Sequence, residues 1–139
     1  VEKKVKETGI RIAIHNHGPE DKLYPSPEDV YNHVKNLDKG MGLCIDIGHT
    51  MRNGVDPSEA LEKYADRVYD IHIKDVDKAA NEGKTIEMGR GVIDLVKFVK
   101  TLRKVKYAGK CSIEFEHKDR VVTGIAESIG YIRGIMASV

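Results

Sequence analysis

The sequence predicts an α/β fold in which four parallel β-strands alternate with helices, and three observations predict it. Short apolar, β-branched runs recur at 10–14, 43–47, 69–75 and 110–116, the length and composition of strands. Each is followed by apolar residues at helical spacing, and such alternation implies parallel strands joined by right-handed crossovers. No shift of composition divides the 139 residues, 40% of them hydrophobic, so a single unit over 1–139 with one core is expected.

Residues 1–8, VEKKVKET, have helical composition, and Gly9 stands where a C-cap would end them. Ile10 to Ile14 form the first strand, which breaks at His15-Asn16-His17-Gly18-Pro19. Ser26 and Pro27 supply an N-cap and a first turn for a helix to about residue 37, with Val30, Val34 and Leu37 on one face. The second strand, 43–47, delivers Asp46 and, three residues on, His49 into a turn. Asp56-Pro57-Ser58-Glu59 starts a helix whose inner face is Leu61, Tyr64, Ala65 and Val68. The third strand, 69–75, puts His72 and Lys74 on one side.

An irregular polar stretch, 76–91, ends in Met88-Gly89-Arg90-Gly91. A helix over 92–106 follows, with Lys97, Lys100, Arg103 and Lys104 as its solvated face. The fourth strand, 110–116, aligns Ser112, Glu114 and Glu116, and a last helix over 121–137 turns Val122, Ile125, Ile129 and Ile132 inward.

Composition excludes several function classes. With 23 basic against 22 acidic side chains the formal charge is +1, so no global field draws the chain to nucleic acid or to a membrane surface, and neither is expected as a partner. Cys44 and Cys111 lie in apolar stretches without a CxxC pattern, the usage of a reducing compartment, so a cytoplasmic location is expected. No run is long enough to span a membrane. The first residue is Val, which leaves room for a preceding segment.

All four strands carry His, Asp or Glu at their C-terminal ends: His15 and His17, Asp46 and His49, His72, then Glu114 and Glu116. That edge is where α/β folds bind ligands. Four strands in succession ending this way is hard to explain by packing, because a buried imidazole or carboxylate is costly unless paired or metal-bound. A mixed nitrogen and carboxylate set suits Zn²⁺, Mn²⁺, Co²⁺ or Fe²⁺ better than Ca²⁺ or Mg²⁺. His15 and His17 equally suit backbone capping beside the Gly-Pro turn, Glu116 a rim ion pair, and His49 the orienting of Asp46. Gly89-Arg90-Gly91 lacks the spacing of a dinucleotide loop and suits a tight helix-entry turn, with Arg90 as an anion contact. His33 and His117 read as surface residues.

Four segments carry a resemblance: Asp46-Ile47-Gly48-His49, His72-Ile73-Lys74-Asp75, Gly89-Arg90-Gly91-Val92-Ile93-Asp94 and Ser112-Ile113-Glu114-Phe115-Glu116. In this order, with helices between them, they resemble the xylose-isomerase-like TIM barrels, which include sugar and sugar-phosphate isomerases and epimerases, inosose dehydratase and the endonuclease IV group. The resemblance covers the whole chain but only the second half of the family barrel, since a complete (β/α)8 barrel takes about 250 residues. It implies half of a TIM barrel, with metal ligands at Asp46, His72 and Glu114 and with His49 as ligand or substrate contact. Where the family usually has a further Glu ligand this chain has His15, which weakens a symmetric two-carboxylate epimerisation and leaves one-base isomerisation or elimination.

The activity so implied is divalent-metal-dependent isomerisation or epimerisation of a sugar or sugar phosphate through an enediolate. Glu114 or Glu116 is the candidate base and Lys74 the candidate charge stabiliser or acid. His15, His17, His49 and Arg90 are candidate substrate contacts. A sugar or polyol lyase or dehydratase, and a non-catalytic half-barrel scaffold, are the alternatives; an endonuclease IV-like activity would need more ligands and a basic groove. Four units alone leave two apolar strand edges and one sheet face uncovered, so either a second copy or an N-terminal half absent from this chain is expected to close the barrel.

Overall fold

The computed structural model describes residues 1–139. Its elements are α1 (Glu2–Thr8), β1 (Ile12–His15), α2 (Pro27–Val34), β2 (Met41–Asp46), α3 (Ile47–Arg52), α4 (Pro57–Tyr64), β3 (Val68–Ile73), β4 (Asp75–Val76), β5 (Thr85–Ile86), α5 (Leu95–Lys104), β6 (Lys110–Ile113) and α6 (Val121–Ser138). Four strands form one wholly parallel sheet in the order β1-β2-β3-β6, and β4 and β5 form a separate antiparallel pair. This is four βα units in sequence, half of a barrel, as expected.

Strand alternation divides the sheet. Leu43, Ile45, Ile71 and Ile73 join Val30 and Val34 of α2, Leu61 and Tyr64 of α4, and Leu95, Phe98 and Val99 of α5 in one apolar cluster. Each fully buried Leu or Ile there contributes about 1.5–3 kcal/mol relative to exposure. The side chains of Asp46 and His72, register partners on β2 and β3, gather instead at the C-terminal rim. Side-chain caps fix the helix starts: Ser26 accepts from Asp29 N–H, Asp56 from Ser58 and Glu59, and Asp94 from Lys97.

Several boundaries differ from the sequence reading, each for a local reason. Asp46 caps its successor residues, so Ile47 to Arg52 form a helix where a turn was expected. Asp94 caps at 94, so α5 starts three residues later than the apolar spacing suggests and leaves Val92 47% exposed. β6 ends at Ile113, although Glu114 N–H still donates to Ile73 O at 3.0 Å. In α6 the buried positions are Gly124, Ser128 and Ile135, while Val122 is 82% exposed. Close approach selects the small residues: a Cβ on Gly124 would stand 2.2 Å from the Phe115 ring, and Ser128 Oγ accepts from Met88 N–H at 3.2 Å.

The stretch 76–91 is not irregular throughout, because β5 lies within it and pairs with β4 at its start. The strands at the sheet edges, β1 and β6, are four residues each, against six for β2 and β3. Short edges blunt the pairing liability anticipated above.

Arg67, 8% exposed, closes the opposite end of the sheet. It donates to the carbonyls of Asp38, Met41, Lys35 and Leu37 at 3.0, 2.6, 3.3 and 3.2 Å, serving the loop that leaves α2. A lysine cannot reproduce that planar fork. Arg67→Lys is therefore expected to lower unfolding free energy by about 2 kcal/mol in urea titrations with the m-value unchanged; a loss under about 0.5 kcal/mol would mean that water serves those carbonyls equally well.

Candidate metal centre

The parallel register brings the strand ends to one rim. Asp46 pairs with His72, and His15 with Cys44 one step below Asp46. Glu114 follows β6 in continuing register with β3. One ligand atom from each of His15, Asp46, His72 and Glu114 lies within 4.8 Å of the others. His15 Nε2 is 3.3 Å from Asp46 Oδ2, and His72 Nδ1 is 3.3 Å from Glu114 Oε2 and 3.9 Å from Asp46 Oδ2. His72 Nδ1 and Glu114 Oε2 are buried and neither makes a well-formed hydrogen bond. A buried imidazole nitrogen without a hydrogen bond, facing a carboxylate oxygen and beside a second carboxylate and a second imidazole, fits a divalent transition ion.

Asp46 is fully buried and its two oxygens do different things. Oδ1 accepts from His49 N–H at 2.8 Å, capping α3, and Oδ2 faces the cluster. Burial alone would raise this carboxyl, but the hydrogen bond from His15 and the charges of Lys74 and His49 outweigh it and hold it well below the ordinary range. The backbone of Asp46 is gripped as firmly. Its N–H donates to Asn16 Oδ1 at 3.0 Å, and its carbonyl accepts from Thr50 Oγ1 at 2.6 Å. Asn16 is fully buried and also donates to Thr50 Oγ1 at 3.3 Å.

Asn16→Ala leaves a buried N–H without a partner and is expected to cost about 2 kcal/mol of stability. The check is thermal or urea unfolding beside Asn16→Asp, which keeps the acceptor; equal losses in both would show that the acceptor does not matter.

Lys74 is 1% exposed and stands among three carboxylates: Asp46 Oδ2 at 3.0 Å, Glu114 Oε2 at 2.7 Å and Glu116 Oε2 at 2.7 Å. Burial would lower its pKa, but Asp46, Glu114 and Glu116 together raise it, so it is an ammonium. Its stem passes over Gly48, where a Cβ would lie 2.4 Å from Lys74 Cγ, which accounts for glycine at that position. Burial would likewise raise Glu116, but Lys74 draws it below the carboxylate norm.

Beside the cluster lies a cavity of about 550 Å³ whose walls include His49, Arg52, Lys74, Thr85, Glu116 and His117. His49 belongs to this wall and not to the four-residue cluster. Because Asp46 caps the turn that His49 occupies, the ring extends toward Arg52, which donates to Nδ1 at 3.0 Å. Burial, with Lys74 and Arg52 nearby, lowers its pKa despite Asp46.

His17 contacts its neighbour rather than the cluster. Its Nε2 is 2.9 Å from His15 Nδ1, and its Nδ1 is 3.7 Å from Asp21 Oδ2, so it holds the His15 ring in orientation. Arg90 is engaged elsewhere, paired with Glu127 on α6. The amides of its loop are also taken. Asp75, fully buried, accepts from Gly89 and Gly91 N–H at 2.9 and 3.0 Å through Oδ2, and from Val76 and Ile93 N–H at 2.9 and 3.2 Å through Oδ1. Gly89 adopts φ +89°, and a Cβ on Gly91 would stand 2.2 Å from Asp75 Oδ1. The glycine loop therefore cradles an anion, and the anion is the chain's own carboxylate.

Sequence reasoning assigned no role to Asn16, Asp75 or Cys44. Asn16, a polar residue between two histidines at a strand end, and Asp75, which follows the Lys74 position directly, carried usable signals. Cys44 gave none. It groups with His15 and His72, but burial, with Asp70, Asp46 and Glu114 nearby, pushes its thiol up to about 12, so it is a neutral neighbour.

Residues 1–135 match the family described as xylose isomerase-like TIM barrel. Among curated proteins the chain is 27% identical over 132 residues to an inosose dehydratase of Geobacillus kaustophilus, covering 84% of this chain and 42% of that protein. It is 28% identical over 154 residues to an inosose dehydratase of Histophilus somni, covering 96% and 51%. Among solved structures, a D-tagatose 3-epimerase-like protein superposes with a TM-score of 0.73 at 24% identity, over 96% of this chain and 52% of that one. The IolI protein, solved with a bound zinc atom, superposes with a TM-score of 0.76 at 19% identity, over 98% and 51%. The chain thus spans about half the length of these relatives, and no helix in it is long and apolar enough to cross a membrane.

Proposed function

Since this chain belongs to the xylose isomerase-like TIM-barrel family, we propose that it forms the ligand-bearing half of a divalent-metal-dependent enzyme that removes a proton beside a carbonyl of a sugar or polyol, acting as an isomerase or epimerase. The observation that carries this reading is the convergence of His15, Asp46, His72 and Glu114 from four consecutive parallel strands, with His72 Nδ1 buried and without a hydrogen bond. The zinc atom described for the IolI structure lends support.

His15, Asp46, His72 and Glu114 would hold the ion. When bound, it supplies a Lewis acid that polarises a substrate carbonyl and offsets the negative charge that develops on adjacent oxygens. The remaining work falls to side chains. Glu114, at the edge of the cluster and 36% exposed at its side chain, takes the proton from the carbon next to the carbonyl. Lys74 supplies positive charge toward an oxygen and can return a proton to it, and Glu116 keeps it an ammonium. His49 and Arg52 line the cavity in which the rest of the substrate lies, and His17 fixes the His15 ring.

One observation favours a second outcome of the same proton removal. With His15 where a second glutamate would stand, a single carboxylate base paired with an ammonium acid suits loss of water, as in a dehydratase, and the curated relatives named above are inosose dehydratases.

Dialysis against Zn²⁺ or Mn²⁺ followed by elemental analysis tests the core of the proposal. About one equivalent per folded chain is expected, and less than about half an equivalent overturns it. Reaction in D2O with a ketose or cyclic polyol ketone then separates the outcomes: deuterium gained without loss of water marks an isomerase or epimerase, and deuterium gained with loss of water a dehydratase.

A further inference from the structure

Two of the three oxygens around Lys74 belong to the metal-ligand cluster. Asp46 Oδ2 and Glu114 Oε2 contact the ammonium at 3.0 and 2.7 Å, and the same two atoms approach the imidazoles of His72 and, for Asp46, His15. The third, Glu116 Oε2 at 2.7 Å, belongs to the cavity wall, and its side chain is 51% exposed. The Lys74 ammonium thus contacts the cluster on one side and the cavity wall on the other.

An ammonium and a divalent ion compete for the same carboxylate oxygens, because like charges a few ångströms apart in a buried site repel and each weakens the other's hold. Charge counting points to how the conflict resolves. Asp46, Glu114 and Glu116 carry three negative charges; a divalent ion balances the first two and the ammonium balances Glu116. The stem permits a small move: it is packed against Gly48 as far as Cδ, so rotation of the terminal Cε–Nζ swings the compact charge between carboxylates that it already touches.

We propose that Lys74 is the resident cation of the metal-free site, and that loading with a divalent ion releases its ammonium from Asp46 and Glu114 so that Glu116, already in contact, alone retains it, where it faces the cavity and meets a substrate oxygen. This rests on the reading that the four-residue cluster binds metal. Loading would then do two things at once: fill the cluster and place the acid. Glu116 becomes the receiving carboxylate of that exchange, which gives it a role distinct from that of a base.

Calorimetric titration of the chain with Mn²⁺ tests the exchange in wild type, Lys74→Met, Glu116→Gln and the double variant, each first checked for a cooperative melt. Removing the resident cation is expected to tighten Mn²⁺ binding by about tenfold, removing its destination to weaken binding several-fold, and the double variant to follow Lys74→Met, the non-additivity of a shared network. Should Lys74→Met fail to fold, reductive methylation of wild type with mass spectrometry gives a second reading: Lys74 is expected to resist modification without Mn²⁺ and to react with it. Tight Mn²⁺ binding by wild type, with equal or weaker binding by Lys74→Met or unchanged protection of Lys74, overturns the exchange and leaves the metal reading standing. Failure of wild type to bind Mn²⁺ or Zn²⁺ overturns both.

Discussion

Replacing Asp46 by asparagine is expected to lower Zn²⁺ or Mn²⁺ affinity by at least about 100-fold, the upper end of what removing even an outer partner of a metal ligand costs. Asparagine is the informative replacement, since its side-chain oxygen can still accept from His49 N–H and preserve the start of α3. The charge alone is removed, while the cap and the volume stay. Asp46→Ala would combine that effect with loss of the helix cap, worth about 1 kcal/mol, and with an emptied buried site. Calorimetry with Mn²⁺ reads the affinity, and circular dichroism confirms that the helix content is kept. Unaltered affinity in a folded Asp46→Asn sample would remove the cluster from the account of function.

The same substitution has a consequence for acid stability, and its sign follows from the lowered Asp46 pKa. A carboxyl whose pKa is depressed on folding stabilises the protein above its unfolded value, about 3.9, and that contribution is lost as pH falls toward and through the folded value. Wild type should therefore lose stability more steeply than Asp46→Asn below about pH 4. Parallel acid limbs in the two proteins would contradict the coupling between Asp46, His15 and Lys74.

Asp75→Ala is expected to be the most damaging single change outside the cluster, costing about 4 kcal/mol in urea unfolding. Four backbone N–H groups, from Val76, Gly89, Gly91 and Ile93, lose their acceptor together. The bare Cα of Gly91 makes room for the carboxylate, so alanine at 75 leaves a void bordered by unsatisfied donors. Asp75→Asn should recover part of the loss, having one acceptor oxygen in place of two. A cost near that of an ordinary surface change, under about 0.5 kcal/mol, would show that water replaces the carboxylate without penalty.

What the sequence revealed and what it hid have physical causes that differ residue by residue. Strand ends bearing Asp46, His72 and Glu114 are conspicuous because a polar ligand closing an apolar run has few packing explanations, and parallel register then assembles them without further instruction. His49 was ambiguous because its spacing from Asp46 suits either a further ligand or a residue on the capped first turn of a helix, and its backbone bond to Asp46 Oδ1 sets the ring in the cavity wall, apart from the four-residue cluster. Arg90 deceived in another way: its loop has the amide geometry of an anion site, but the anion lies fifteen residues upstream in the same chain. The inner face of α6 was legible in part: Ile125, Ile129 and Ile132 are half-buried as expected, but Val122 is exposed, and the closest packing falls to Gly124 and Ser128, small residues that apolar periodicity does not mark, and to Ile135.

Asp46 gives one oxygen to the first turn of α3 and keeps the other toward the rim. A carboxylate so divided can offer an ion only a single donor atom while the His49 N–H holds Oδ1, and Asn16 and Thr50 fix the backbone from which it projects. Calcium, which gathers six to eight oxygens, often by bidentate grasp, at about 2.3–2.6 Å, is poorly served by such a donor. Discrimination among cations at this rim would thus be written into the way a helix begins, before any ion arrives.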